Sequence, residues 1–118
     1  MLQYFDFHAS LFSSWSIERY EQEGNAHFLI MKAILKDNSR IEIRDYVFLN
    51  GNRKYSYHWM EENGQLRFRW DNAPHWIEIE TAPHHIHCGE NNTPESSLVN
   101  NIEDLLNWIE LWFDRKHE

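Results

Sequence analysis

Residues 53–71 (RKYSYHWMEENGQLRFRWD) leave this chain little freedom in how it folds. From Arg53 to Glu62, Tyr55, Tyr57 and Trp59 share one face of a strand, and Lys54, Ser56, His58 and Met60 share the other. From Gln65 to Asp71, Leu66, Phe68 and Trp70 oppose Arg67, Arg69 and Asp71 in the same way. Asn63-Gly64 between them is a hairpin signal, because both central residues of a type I′ turn take positive φ. A two-residue turn there pairs Glu62 with Gln65. Trp59 then faces Phe68 and Tyr57 faces Trp70, so the aromatic rings meet on one face. On the other face His58 meets Arg69, Met60 meets Arg67 and Ser56 meets Asp71. A slip of one residue would undo this sorting, so the register is well specified.

The rest of the chain extends the pattern. Trp15 to Gln22 alternates loosely and stops at the turn cluster Glu23-Gly24-Asn25. His27 to Lys36 (HFLIMKAILK) is almost continuously apolar, as expected of a central strand covered on both faces. Asp37-Asn38 breaks it, Ser39 to Leu49 forms the next strand, and Asn50-Gly51 is another hairpin turn. Asn72 to Ala82 carries Pro74 and reads as loop, with a short strand possible at Trp76 to Glu80. Pro83 to Cys88 reads as a further short strand, and Gly89 to Ser97 as a polar linker. Ile102, Leu105, Leu106, Ile109, Trp112 and Phe113 then recur at three- and four-residue steps, the period of an amphipathic helix. Asn101 is its expected N-cap. Leu2 to Phe12 fits either a strand or one helical face and is read as a short helix. The expected fold is α+β: an antiparallel meander of five or six strands in one domain, a C-terminal amphipathic helix on one face and a short N-terminal helix.

Charge and composition narrow the function. A formal charge of −8 argues against a general nucleic-acid coat. The bases are unevenly placed, however: residues 53–70 hold four Lys+Arg and two Glu, whereas residues 90–110 carry acids and no base. The single Cys excludes an internal disulfide and a Cys-based zinc site. No apolar run approaches the roughly 18 residues of a membrane span. The N-terminal residues lack the features of a signal peptide, so a cytoplasmic protein with no membrane association is expected. There is no P-loop, GxGxxG or GxSxG motif.

Histidine stands out. Five of the eight lie between His58 and His87, namely His58, His75, His84, His85 and His87. Histidine both takes and gives protons near neutral pH, and arginine matches phosphate with a planar fork. The hairpin register sets His58 opposite Arg69 and near Asp71, away from the aromatic core. That arrangement suits a metal-independent ribonuclease. One His would deprotonate the RNA 2′-hydroxyl, another would protonate the 5′ leaving oxygen, and an Arg would stabilise the charge that develops. The candidate catalytic set is therefore His58, Arg67, Arg69, Asp71, His75, His84, His85 and His87. Tyr57, Asn72 and Trp76 are candidates for contacting RNA, although Tyr57 also shares the face expected to form the core. No cofactor is required. Two other readings stand beside this one. His85 and His87, at i and i+2 on a strand, point to one side and could bind zinc with His75 or Asp71. The acidic surface could instead block a basic partner without chemistry.

Tyr55-Ser56-Tyr57-His58-Trp59, Arg69-Trp70-Asp71-Asn72-Ala73-Pro74-His75 and Pro83-His84-His85-Ile86-His87, in that order and followed by a polar linker and a terminal helix, resemble the TumE-type toxin family of bacterial toxin–antitoxin systems. The resemblance implies a small prokaryotic toxin with ribonuclease activity, and an RNA substrate. It also implies a cognate antitoxin carrying a helix-turn-helix domain. The chain departs from the family pattern after His75, where Trp76-Ile77 stands in place of an expected second His and a Pro.

Overall fold

The computed structural model describes residues 3–72, 84–89 and 94–116. A short helix α1 (Gln3–Phe7) and one 3-10 turn (Ala9–Leu11) lead into the sheet. Its strands are β1 (Phe12–Glu23), β2 (Ala26–Leu35), β3 (Arg40–Val47), β4 (Arg53–Met60), β5 (Leu66–Asp71), β6 (His85–Cys88) and β7 (Pro94–Ser96). They lie in chain order and every neighbouring pair is antiparallel. The first six strands form the expected meander. The three-residue β7 adds a seventh, inside the stretch that reads as a linker. Helix α2 (Ile102–Lys116) follows. Asn101 caps it, its Oδ1 accepting the Asp104 N–H at 2.8 Å. The short strand considered at Trp76 to Glu80 lies outside the described residues.

The core lies on one side of the sheet. Leu29, Met31, Ile41, Ile43, Tyr57, Trp59 and Trp70 project there, and α2 returns Ile102, Leu105, Leu106, Ile109 and Phe113. Trp108 of α2 meets Phe68 and Trp70 edge-on, with ring centroids 4.8 and 5.0 Å away. Such edge-to-face contacts add specificity to the large area that each ring buries. The apolar run in β2 is not covered on both faces as expected. Phe28 and Ile30 are only partly buried, and Ile34 is 39% exposed.

The β4–β5 hairpin keeps the expected pairs Ser56–Asp71, Tyr57–Trp70, His58–Arg69 and Trp59–Phe68. It reaches them by another route. Glu61 N–H donates to Gln65 O at 2.8 Å, and Gly64 N–H donates to Glu61 O at 2.9 Å. Glu61 therefore faces Gln65 across a three-residue loop, with Gly64 at φ +90°. Met60 then lies opposite Leu66 instead of Arg67. Arg67 is the extra residue of a bulge, which restores the register from Trp59 onward.

The bulge also turns Arg67 toward the helix. Its guanidinium lies 4.7 Å from the Trp59 ring centroid and 4.8 Å from that of Trp112. It pairs with Glu61 at 2.6 Å and with Asp37 at 2.9 Å. Despite burial, hydrogen bonds from Ser39 and Arg67 hold the Asp37 carboxyl below its usual range, and the Arg67 hydrogen bond does the same for Glu61. Arg67→Ala should cost about 1–3 kcal/mol in urea denaturation near neutral pH, because the ring contacts and ion pairs disappear together. Both carboxyls are depressed in the folded state. Their contribution is thus complete above the ordinary carboxylate range and disappears as pH falls through the folded values. The stability gap between wild type and variant should therefore narrow on acidification.

Candidate functional site

Beyond the bulge, alternation on β5 resumes, and Arg69 and Asp71 point to the face opposite α2. The β5–β6 register sets Asp71 against His85 and Arg69 against His87, so all four side chains emerge together. His85 Nε2 lies 2.7 Å from Asp71 Oδ1, and His87 Nε2 lies 3.7 Å from Asp71 Oδ2. Arg69 Nε lies 3.4 Å from the same Oδ2. The two imidazole rings are 4.9 Å apart at 71°, and both histidines are buried. On the other side of Arg69, β4 supplies His58 as its cross-strand partner. Burial, with the adjacent Arg69 charge, pushes the His58 imidazole below its ordinary pKa. That shift favours the neutral form of the ring.

Five of the residues singled out in the sequence thus come together: His58, Arg69, Asp71, His85 and His87. The row His58–Arg69–His87 crosses three adjacent strands, with Asp71 and His85 in the next row. Other candidates lie elsewhere. Arg67 is on the helix side, held by Glu61, Asp37 and two tryptophan rings. His84 is on the helix side too. Its ring stacks at 5.8 Å on Tyr55, and its Nδ1 is 2.7 Å from Tyr55 Oη. Burial, with Arg53 and His85 nearby, lowers its pKa. Tyr57 is wholly buried, and its hydroxyl donates to Asp45, so its ring offers no surface to a base. Asn72 accepts the Tyr55 N–H at 3.0 Å and donates to Arg53 O at 2.9 Å, which fastens the end of β5 to β4. His75 and Trp76 lie outside the described residues.

An open antiparallel sheet backed by a helix, with a histidine-rich cluster on the face opposite that helix, defines a small α+β protein with a polar site built on strands. The chain belongs to the TumE toxin family, whose model, described as Toxin TumE, matches residues 1–113. It is accordingly a toxin of a toxin–antitoxin system, for which the family implies an antitoxin partner. No curated protein and no solved structure matches it. No described helix is long and apolar enough to cross a membrane.

A second polar cluster was not anticipated. Asp45 follows Ile41 and Ile43 on the core face of β3 and is buried there. His27 Nε2 approaches its Oδ1 at 3.1 Å, Arg53 Nη2 donates to Oδ2 at 3.2 Å, and the Tyr57 hydroxyl donates to Oδ2. Arg53 also donates to Asn100 O, just before α2. The group borders a cavity of about 330 Å³ lined by Tyr4, His27, Asp45, Arg53 and the first residues of α2. The signal was present in the sequence: a carboxylate at a position where strand parity calls for an apolar residue. Removing one member of a buried, paired group strands its partners. Asp45→Ala should therefore cost about 3–5 kcal/mol in chemical denaturation, far more than a substitution at the neighbouring exposed Arg44.

Proposed function

We propose that this toxin is a metal-independent endoribonuclease acting in the cytoplasm, and that its site is the His58–Arg69–His87 row with Asp71 and His85. One observation carries the reading: a neutral imidazole and a second, carboxylate-backed imidazole flank a guanidinium. At about 4.8 Å per strand, His58 and His87 stand roughly 10 Å apart, which leaves room for a phosphodiester over Arg69. His58 takes the proton of the 2′-hydroxyl as that oxygen forms its bond to phosphorus. Arg69 stabilises the charge on the non-bridging oxygens. His87 or His85, oriented by Asp71, protonates the 5′ oxygen as its bond to phosphorus breaks. The products are a 2′,3′-cyclic phosphate and a 5′-hydroxyl end. The antitoxin is proposed to carry a helix-turn-helix domain, as the family resemblance implies.

A zinc-dependent reading is favoured by a separate observation. One ligand atom each from Asp71, His85 and His87 lies within 4.8 Å of the others. Two imidazoles and a carboxylate make a three-ligand set of the kind catalytic zinc uses. Zinc held there would supply a Lewis acid and an activated water. Metal analysis of protein purified without a polyhistidine tag, with cleavage assays in EDTA, separates the two readings. Cleavage that persists in EDTA supports acid–base catalysis, whereas loss in EDTA and recovery with zinc supports the metal.

On the metal-independent reading, His58→Ala and His87→Ala should each lower RNA cleavage about 10²–10⁴-fold and relieve growth inhibition. If both variants are folded and cleave like wild type, the site assignment fails. The pH profile gives a further check. A base must be deprotonated to act, so activity should fall as pH drops through the His58 pKa, which lies below the ordinary value of about 6.5. Arg69→Gln removes a charge that depresses this pKa. Beyond its loss of rate, it should shift the acidic limb toward higher pH.

A further inference from the structure

The face that carries the proposed site continues across the sheet. The cross-strand register extends one row from Asp71 through Ser56 of β4 to Arg44 of β3. The next row runs from Lys54 through Tyr46 to Phe28. Arg44 and Lys54 are exposed, and among the described residues neither has a carboxylate within ion-pair distance. Lys32 on the same face differs, since Glu18 at 3.2 Å and Glu42 at 3.7 Å occupy it. Beside the two open cations lies an aromatic group unrelated to the core. Phe28 meets Tyr46 at 5.4 Å and Phe48 at 5.7 Å, both edge-to-face. Phe28 and Tyr46 are only partly buried, and Phe48 is 38% exposed. On a sheet packed on both sides these rings would be core. Here they face outward beside cations; at the β1 edge Glu21 lies opposite Phe28, and Arg19 both pairs with that carboxylate at 2.7 Å and lies 5.2 Å over the Phe28 ring.

We propose that the open face of β2–β4 is a platform for single-stranded RNA, with Arg44 and Lys54 taking phosphates and Tyr46 receiving an unpaired base. The inference rests on the ribonuclease reading for its substrate, but it assigns residues outside the acid–base set. The charge complementarity follows the register: Lys54 belongs to the ring row and Arg44 to the adjoining Asp71 row, so a strand stacked on the rings meets both cations on its way toward Arg69. A single strand is the occupant because paired bases offer no face for stacking. The cations act through phosphates and carry no base specificity.

The test uses the full chain carrying His58→Ala, so that RNA survives the measurement. Its probe is a fluorescein-labelled single-stranded RNA of about 12 nucleotides, within the site sizes such surfaces cover. Anisotropy titrations at several salt concentrations give Kd and its salt slope. Arg44→Gln with Lys54→Gln should weaken binding and flatten the log–log salt slope by about 0.7 for each phosphate no longer neutralised. Tyr46→Ala should weaken binding about five- to a hundredfold. In the otherwise wild-type enzyme, the loss in cleavage caused by these substitutions should fall on KM. Wild-type binding by the folded double charge variant and by Tyr46→Ala would overturn the platform. So would sedimentation showing that these substitutions split a dimer, because the face would then be an interface between two copies. The two proposals fail separately. RNA binding through Tyr46 and Arg44 with no cleavage by wild type removes the ribonuclease. Cleavage with KM unchanged in the variants removes only the platform.

Discussion

An extra residue at Arg67 decides which way every side chain of β5 points. The loop before it is one residue longer than a two-residue turn, and without the bulge the remainder of β5 would be displaced by one position against β4. Side chains alternate with a period of two, so that displacement would send Trp70 into solvent and Arg69 and Asp71 into the aromatic core. The bulge also has its own anchor. The Arg67 guanidinium sits between Trp59 and Trp112 and is held by Glu61 and Asp37. A single cation thus ties the hairpin to the helix and sets the parity on which the opposite face depends.

The sheet separates two constellations of the same residue types. On the side away from α2 Asp71 gathers His85, His87 and Arg69. On the helix side Asp45 gathers His27, Arg53 and Tyr57. Their surroundings differ. Asp45 is enclosed by the core and linked through Arg53 to the turn before α2, which suits a network that locks the helix onto the sheet. The Asp71 group lies on the face of the outward rings and cations of β2–β4, with its two histidines buried there. Buried polar networks of this kind are costly unless every member is satisfied, so each cluster also enforces the register that assembles it.

Much of the fold was legible because side-chain parity is a local property. The four β4–β5 pairs from Ser56 to Trp59, the N-cap at Asn101 and the apolar stripe of α2 all follow from spacing along the chain. The turn length did not, because Asn-Gly serves both two- and three-residue hairpin loops, and the compensating bulge leaves no mark in an alternating pattern. Arg67 lies on the helix side, and not opposite Met60, for that reason alone. His84 and Tyr57 were separated from the cluster by parity: His84 alternates with His85, and Tyr57 with His58. Asp45 is marked in the sequence only as a carboxylate out of place on the core face of β3, because its partners His27 and Arg53 come from other strands.

The sequence by itself determined the order of the strands, the helix that covers them and the face on which His58, Arg69 and Asp71 emerge, since these depend on periodicity and neighbouring turns. Only the tertiary structure decided which histidines meet a carboxylate and which arginine is spent on packing. Those choices arise where β6 pairs with β5 and where α2 closes over Trp59. Contacts between residues distant in the chain depend on how strands and helix settle against one another, and no local pattern encodes that distance.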